Sequence, residues 1–155
     1  MIASALAQAA DSPFRPLEFL LGEWVGEGVG QPGDSTGAFS FTFDLDKKIA
    51  VRKNHAGLKA GVHDDLMIAF PGPAGKGLHA IYWDNEGHVI NYAIESLPDG
   101  VRFLSDASAP GPRFRLTYRK TGAKTVSIEF DIAPPGKPDA FAPYIKASAR
   151  RKQTR

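Results

Sequence analysis

Apolar and polar residues alternate along much of the chain, and the clearest alternation runs over residues 38–46. Phe39, Phe41 and Phe43 are each followed by a polar or acidic residue, so their rings lie on one face of an extended strand. Runs of the same kind recur at short intervals and predict about ten strands. Besides the strand at 38–46, they cover residues 22–30, 49–55, 66–70, 78–83, 89–94, 101–104, 114–118, 126–132 and 141–151.

The segments between these strands are short and rich in glycine and proline, for example at 71–77, 84–87 and 109–112. Short connections favour antiparallel pairing between strands that are neighbours in sequence. Such a meander has two open edges unless its first strand pairs with its last, and closure removes both edges. The sequence therefore predicts an all-β protein, a closed antiparallel up-and-down β-barrel of about ten strands.

The segment 13–30 is expected to organise one end of this barrel. Ser12 and the prolines that follow can start a helix, which Gly22 ends after one or two turns. A helix of that length can only cap the barrel. In the next strand Trp24 precedes glycines at 26, 28 and 30, which leave one face without side chains. A bare face lets the strand bend, or lets another backbone or a ligand approach closely.

The pattern Gly-x-Trp-x-Gly-x-Gly-x-Gly at 22–30 resembles the opening strand of the nitrobindin-type calycins, which are ten-stranded relatives of lipocalins and fatty-acid-binding proteins. The resemblance implies a barrel whose floor is closed by a short helix, with the tryptophan packed beside it. The chain is also similar, over nearly its whole length, to uncharacterised bacterial barrel proteins. That similarity includes the segments 52–56, 63–67 and 84–88, and it brings no assigned activity with it.

A barrel in water must turn the apolar face of each strand inward. The expected lining comprises Phe39, Phe41, Phe43, Leu45, Val51, Ile68, Phe70, Ile90, Ile94, Phe103, Phe114, Leu116, Val126, Ile128 and Phe130. Tyr82, Tyr92 and Tyr118 share the inward positions and would add a few hydroxyl groups, which is typical of a small-molecule site. Lys53 and His55 share the positions of Ile49 and Val51 and are expected at the mouth.

We therefore expect non-enzymatic binding of a small, largely apolar ligand inside the barrel. The expected ligand-binding residues are Trp24, Phe41, Phe43, His55, Tyr82, Tyr92, Phe103, Tyr118, Ile128 and Tyr144. The competing interpretation is a packed core, in which the tyrosines only fill space and their hydroxyl groups are satisfied locally.

A first alternative function is haem binding. The segment 142–147 resembles the part of nitrobindins that carries the histidine bound to haem iron, but this chain has Tyr144 there and no histidine after His88. Tyrosine can bind ferric haem through its phenolate oxygen. The alternative is therefore a ferric-haem protein with Tyr144 as its cofactor-binding residue. Tyrosine in an alternating strand also serves simply in packing, and both interpretations stay open.

A second alternative is an enzyme that uses the loop residues His63, Asp65 and His88. The segment 63–65 could form a corner of a metal site, and His88 could form an acid–base pair with Glu86 or Asp84. A zinc site needs three or four converging ligands. The chain has no His-x-His or His-Glu-x-x-His spacing, no Gly-x-Ser-x-Gly elbow and no phosphate-binding loop. We therefore predict no catalytic residue and no metal ligand, and favour binding over catalysis.

Composition and charge restrict the classes of protein to which this chain can belong. A chain of 155 residues with 23% charged residues fits one globular domain, which we place at 13–155. The formal net charge of +2 is too small to imply nucleic acid, and the basic residues at 150–155 are expected to be a solvated end. The absence of cysteine excludes disulfides and thiolate chemistry. No apolar run is long enough to cross a membrane.

Residues 1–12 are expected to be a flexible arm or the remnant of a signal peptide. They are rich in alanine and resemble the cleavage end of a secretory signal, but a basic start and an apolar centre are missing. Cytoplasmic and periplasmic or secreted locations therefore both stay open.

Overall fold

The computed structural model describes residues 12–27, 36–58 and 61–153. Residues 1–11 of the predicted arm at 1–12, and the glycines Gly28 and Gly30, lie outside the described residues. The described chain contains a 3₁₀ helix at Arg15–Leu20, a second 3₁₀ turn at Pro73–Gly75 and ten strands. The strands are β1 (Gly22–Glu27), β2 (Thr36–Asp44), β3 (Ile49–Leu58), β4 (Gly61–Pro71), β5 (Leu78–Asp84), β6 (Val89–Leu97), β7 (Gly100–Ser105), β8 (Arg113–Gly122), β9 (Thr125–Ala133) and β10 (Ala142–Arg151).

These strands form one closed barrel, in which every strand pairs antiparallel with its neighbours in sequence and β1 pairs with β10. The closing pair sets Trp24 opposite Arg151 and Gly26 opposite Ala149. Both edges of the meander are thereby paired. The predicted all-β up-and-down barrel is confirmed. In the described part of the chain, no helix is long and apolar enough to cross a membrane.

The phenylalanines of β2 turn inward, and their register sets the orientation of the neighbouring strands. Phe39 and Phe41 are buried, and they stand opposite Trp24 on β1 and Arg52 and Asn54 on β3. Residues directly opposite each other in a sheet point to the same side. Following the pairs around the barrel confirms the predicted inward positions on β2 and on β6 to β9, which include Ile90, Phe103, Leu116, Ile128 and Phe130.

The expected inward face was wrong on β3 and β4. Val51 pairs with Ile68 on the outer face, and Phe70 also points outward, while Arg52 and Met67 pair inside. All five residues of the run 66–70 are apolar, so alternation gives no direction there. Leu45, also expected inside, is 64% exposed in the turn that joins β2 to β3.

The 3₁₀ helix caps one end of the barrel. Leu17 and Leu20 are fully buried, and the ring of Phe14 meets that of Phe43 edge to face, with centroids 5.4 Å apart. Trp24 is 1% exposed at the start of β1, so its indole packs beneath the helix. The predicted capping helix, and the position of the tryptophan beside it, are therefore confirmed.

Arg151, at the end of β10, holds the helix against the barrel. Its Cζ atom lies 4.5 Å from the centroid of the Trp24 ring. The guanidinium group also donates hydrogen bonds to the carbonyl oxygens of Phe19 and Leu21. Such bonds satisfy carbonyl groups that a short helix leaves without partners. The last strand thus fixes both the barrel closure and its cap.

Candidate functional site

Tyr118 crosses the barrel interior and forms a floor between two halves. From β8 its ring reaches Phe39 and Phe41 on β2, at centroid distances of 5.7 and 5.8 Å, and Phe103 on β7 at 6.1 Å. On the side of the 3₁₀ helix, Trp24, Leu17 and Leu20 are fully buried, although Phe43 and Ile94 stay partly accessible. Toward the other end, which we call the open half, several inward side chains stay partly accessible. These are Tyr82, Ile90, Phe114, Ile128 and Phe130.

One side of the open half is an aromatic wall made of Phe114, Phe130 and Tyr144. Phe114 and Phe130 stack with centroids 5.9 Å apart and an interplanar angle of 9°. Tyr144 meets the ring of Phe130 edge to face at 6.2 Å. It stands where β10 shifts register between Pro143 and Ile145, and such an irregularity turns a side chain away from the regular alternation. The result is an apolar surface at the rim of the barrel.

The opposite side is a polar wall that begins with Arg52, Asn54 and Asp65. The guanidinium of Arg52 donates to Oδ1 of Asp65, and the amide of Asn54 donates to Oδ2 at 2.9 Å. Arg52 is 7% exposed and Asp65 9% exposed. A buried charge is tolerated only when it is paired and hydrogen-bonded. Here each charge neutralises the other.

His63 extends the polar wall toward the barrel mouth. Its Nε2 atom lies 3.1 Å from the hydroxyl oxygen of Tyr82 and 3.4 Å from Oδ2 of Asp65, and its Nδ1 atom lies 3.1 Å from Oε1 of Glu86. The Tyr82 hydroxyl donates to Oδ2 of Asp84 at 3.1 Å. Because Tyr82 has only one proton, its oxygen accepts from Nε2–H of His63.

Asp84 and His88 complete this hydrogen-bonded network at the turn between β5 and β6. Nδ1 of His88 lies 2.8 Å from Oδ2 of Asp84, and the backbone N–H groups of Glu86 and His88 donate to Oδ1 at 3.0 and 2.9 Å. Burial opposes the ionisation of Asp84, but the bonds from His88 and Tyr82 outweigh it and lower the pKa of this carboxyl group. The mouth therefore carries a fixed carboxylate.

The tyrosine hydroxyl groups of the interior stay protonated. Burial raises the pKa of Tyr82, Tyr92 and Tyr118 above the ordinary value for tyrosine, and the carboxylate of Asp65 adds to this effect. The nearby cation of Arg52 acts in the opposite direction without reversing the shift. These groups can therefore donate hydrogen bonds at neutral pH.

The predicted ligand-binding residues lie at several heights along the barrel, relative to the floor formed by Tyr118. Trp24, Phe41 and Phe43 belong to the half beneath the floor, where they pack around the 3₁₀ helix. Tyr92, Phe103 and Tyr118 are buried at the level of the floor, whereas Tyr82, Ile128 and Tyr144 face the open half or stand at its rim.

His55 and Lys53 lie on the outer face of β3, contrary to their expected position at the mouth. The exposed imidazole of His55 pairs with Asp64 at 2.6 Å. The inward positions of this strand belong to Arg52 and Asn54, which the sequence reasoning missed. Pairing the residues of β2 and β3 outward from the turn at 45–48 would have found them, because that register sets Arg52 opposite the inward-facing Phe41.

The geometry does not fit a haem bound through Tyr144. The tyrosine side chain is 66% exposed at the rim and touches the barrel through the edge of Phe130. An iron ligand would have to project into a pocket that encloses the macrocycle. The four histidines, at positions 55, 63, 79 and 88, all belong to β3–β5 or to the turn before β6, across the barrel from β10.

The structure brings the enzyme candidates His63, Asp65 and His88 into one network. His63 contacts Asp65 directly, and His88 joins it through Asp84 and Tyr82. Mutual hydrogen bonding accounts for the position of each of these side chains. Over residues 12–27, 36–58 and 61–153, no group of three or more His, Asp or Glu side chains is arranged to hold a metal ion.

A groove of about 770 Å³ crosses the outer face of β1–β5. Its apolar floor includes Val25, Ala38, Leu66 and Trp83, which point away from the barrel interior. At its rim lie an ion pair between Lys152 and Glu23 at 2.8 Å and the hydrogen-bond contact between His55 and Asp64. The sequence pattern did not predict this groove, because the outward residues that line it come from five different strands and inward residues such as Asn54 and Asp65 contribute to it as well.

No protein-family model and no curated protein matches this chain. The closed ten-stranded barrel is consistent with a calycin-like fold, and membership of the nitrobindin group stays a prediction.

Proposed function

We propose that the protein binds a small, largely apolar molecule in the open half of the barrel. The observation that supports this most is the partial accessibility of inward-facing apolar side chains, among them Ile128 and Phe130, above a fully buried floor. Apolar surface that a barrel turns inward but does not cover is available to a ligand.

The two walls define the kind of molecule that fits. Phe114 and Phe130 stack almost parallel and offer an apolar surface, so the body of the ligand should be apolar or aromatic. The polar wall opposite presents Asn54, His63 and Tyr82, which are fixed by their mutual contacts with carboxylates. Rigid polar groups of this kind orient a ligand more than they add affinity.

The test uses the neutral dye N-phenylnaphthylamine, whose fluorescence rises in an apolar environment. The parent protein should bind the dye with one saturable site. In the variant Ile128→Trp, the larger side chain projects into the open half from the middle of β9. We expect that variant to weaken dye binding by at least about tenfold while thermal unfolding stays cooperative.

Two matched tryptophan variants complete the design. Glu129→Trp places the same indole on the next residue of β9, on the outer face, where Glu129 pairs only loosely with Lys146 at 3.7 Å. It should bind the dye like the parent. Ser40→Trp fills the outer groove instead. Dye binding that survives Ile128→Trp but is lost in Ser40→Trp would contradict an interior site, and absence of any binding to the parent would contradict the proposed function altogether.

A further inference from the structure

Two hydrogen-bond donors meet at the floor of the open half without an acceptor. The hydroxyl of Tyr118 and Nε of Arg52 are both buried, and neither donates a hydrogen bond of good geometry within the described part of the chain. Tyr118 is 0% exposed. The two side chains are neighbours, and a side-chain hydrogen bond from Arg52 to the Tyr118 oxygen still leaves the phenolic proton and Arg52 Nε without acceptors. Leaving a buried donor without an acceptor is unfavourable, and most such groups in folded proteins have a partner.

The charge balance at this point favours an uncharged partner. The cation of Arg52 is already neutralised by Asp65, to which it is bonded. A ligand carboxylate would add a second negative charge next to Asp65 in a poorly solvated interior, where like charges repel strongly. A carbonyl oxygen would satisfy both donors without adding charge.

The position of the two donors connects them to the proposed ligand site. Tyr118 stands directly opposite Ile128 in the pairing of β8 with β9, and Ile128 is partly accessible from the open half. Arg52 lies one inward position below Asn54 on the polar wall. A molecule seated between the two walls would therefore have Tyr118 and Arg52 beneath it.

We propose that the ligand of the open half is an apolar molecule with an uncharged acceptor oxygen, such as a ketone or an amide, bound by the Tyr118 hydroxyl and Arg52 Nε. This assignment rests on the proposed function, because it requires a ligand in the open half. It gives Tyr118 a binding role in addition to its role in packing.

The test compares three probes that share one ring system: methyl naphthyl ketone, ethylnaphthalene and naphthoate. Calorimetry should show that the parent binds the ketone about fivefold more tightly than ethylnaphthalene, which corresponds to one net hydrogen bond, and binds naphthoate most weakly. Tyr118→Phe keeps the ring and removes the hydroxyl. It should weaken the preference for the ketone, because only Arg52 Nε then remains as a donor, while the affinity for ethylnaphthalene stays within about twofold of that of the parent.

Infrared spectroscopy of the bound ketone provides a measurement that does not depend on the variant. The carbonyl stretching band should lie at lower wavenumber in the parent complex than in hydrocarbon solvent, because two donors polarise the C=O bond. A band at the hydrocarbon position would overturn the inference, and so would equal affinities for ketone and ethylnaphthalene, as expected if buried water satisfies both donors. If naphthoate bound most tightly, the assignment of an uncharged acceptor would be wrong. In all these cases the proposed function stands, whereas failure of all three probes to bind would contradict both the acceptor assignment and the proposed function.

Discussion

The indole N–H of Trp24 donates a hydrogen bond of 2.7 Å to the carbonyl oxygen of Leu20. The bond joins the first strand of the barrel to the end of the 3₁₀ helix that caps it. Because Arg151 from the last strand covers the same indole ring, Trp24 links the cap, the first strand and the last strand. The stability of the closed barrel should therefore depend strongly on this residue.

Trp24→Ala should lower the free energy of unfolding by about 3–5 kcal/mol, the range for truncation of a large buried aromatic side chain. Trp24→Phe should cost less, because it keeps much of the apolar contact and mainly loses the hydrogen bond, worth about 1 kcal/mol. Urea denaturation followed by circular dichroism measures both values. Trp83, 36% exposed on the outer face, is the control, and Trp83→Ala should cost less than Trp24→Ala. An unchanged midpoint for Trp24→Ala would contradict the linking role.

The barrel could be predicted from the sequence because its strands are short, regular and joined by turns. The phenylalanines at 39, 41 and 43 give one strand a clear inward face, and β6–β9 alternate clearly enough to be placed in the same way. The prediction failed where alternation carries no information. In β4 every residue from Leu66 to Phe70 is apolar, and in β3 the inward position belongs to Arg52, whose burial depends on a carboxylate thirteen residues away.

Arg52 and Asp65 should be strongly coupled. Arg52→Met leaves a buried carboxylate without its main partner, and Asp65→Leu leaves a buried cation, so each single change should destabilise the barrel by about 3–5 kcal/mol. The double variant removes both charges and should be more stable than at least one of the single variants. A double-mutant cycle in urea gives the coupling energy.

The exposed pair of Lys146 and Glu129 is the control for this cycle. Its atoms are 3.7 Å apart at the surface, so its coupling energy should stay below about 1 kcal/mol. Additive effects of the two changes at Arg52 and Asp65 would show that the buried pair contributes no more than a surface pair.

The polar wall was only partly predictable for a related reason. His63, Asp65 and His88 could be singled out by residue type, and the contact of His88 with Asp84 in its own turn was among the predicted pairs. The partners of His63, which are Tyr82 and Glu86, come from the next hairpin. Only the register of β4 against β5 brings the two groups together. The aromatic wall is likewise built from three strands, β8, β9 and β10. The rim position of Tyr144 depends on the irregularity in β10, which an alternating sequence pattern does not reveal.

Asp84 should make stability fall in acid. Its pKa is lowered in the folded state, because the hydrogen bonds from His88 and Tyr82 outweigh the effect of burial. The unfolded chain therefore takes up the proton more readily. The stabilisation is present above the unfolded pKa of about 4 and is lost as pH falls through the lower pKa of the folded state.

Asp84→Asn should lower the free energy of unfolding by about 1–3 kcal/mol near neutral pH. The difference from the parent should shrink below about pH 4 in urea titrations at stepped pH, and a constant difference down to about pH 2 would contradict this assignment.

Gly100, the first residue of β7, should not tolerate a side chain. A β-carbon on Gly100 would overlap the carbonyl oxygen of Tyr118 on the adjacent strand, so Gly100→Ala must push β7 away from β8 at the floor of the open half. Overpacking of this kind typically costs about 1–3 kcal/mol, and we expect the upper part of that range because the obstructing atom belongs to the backbone.

Gly37 on β2 is the matched control, since a β-carbon there would make ordinary contacts at 3.7 Å with the carbonyl oxygen of His55 and 3.9 Å with Ala56. Thermal unfolding should therefore show a clear loss for Gly100→Ala and a change near zero for Gly37→Ala. Equal losses in the two variants would mean that the close approach of β7 to Tyr118 does not limit this position.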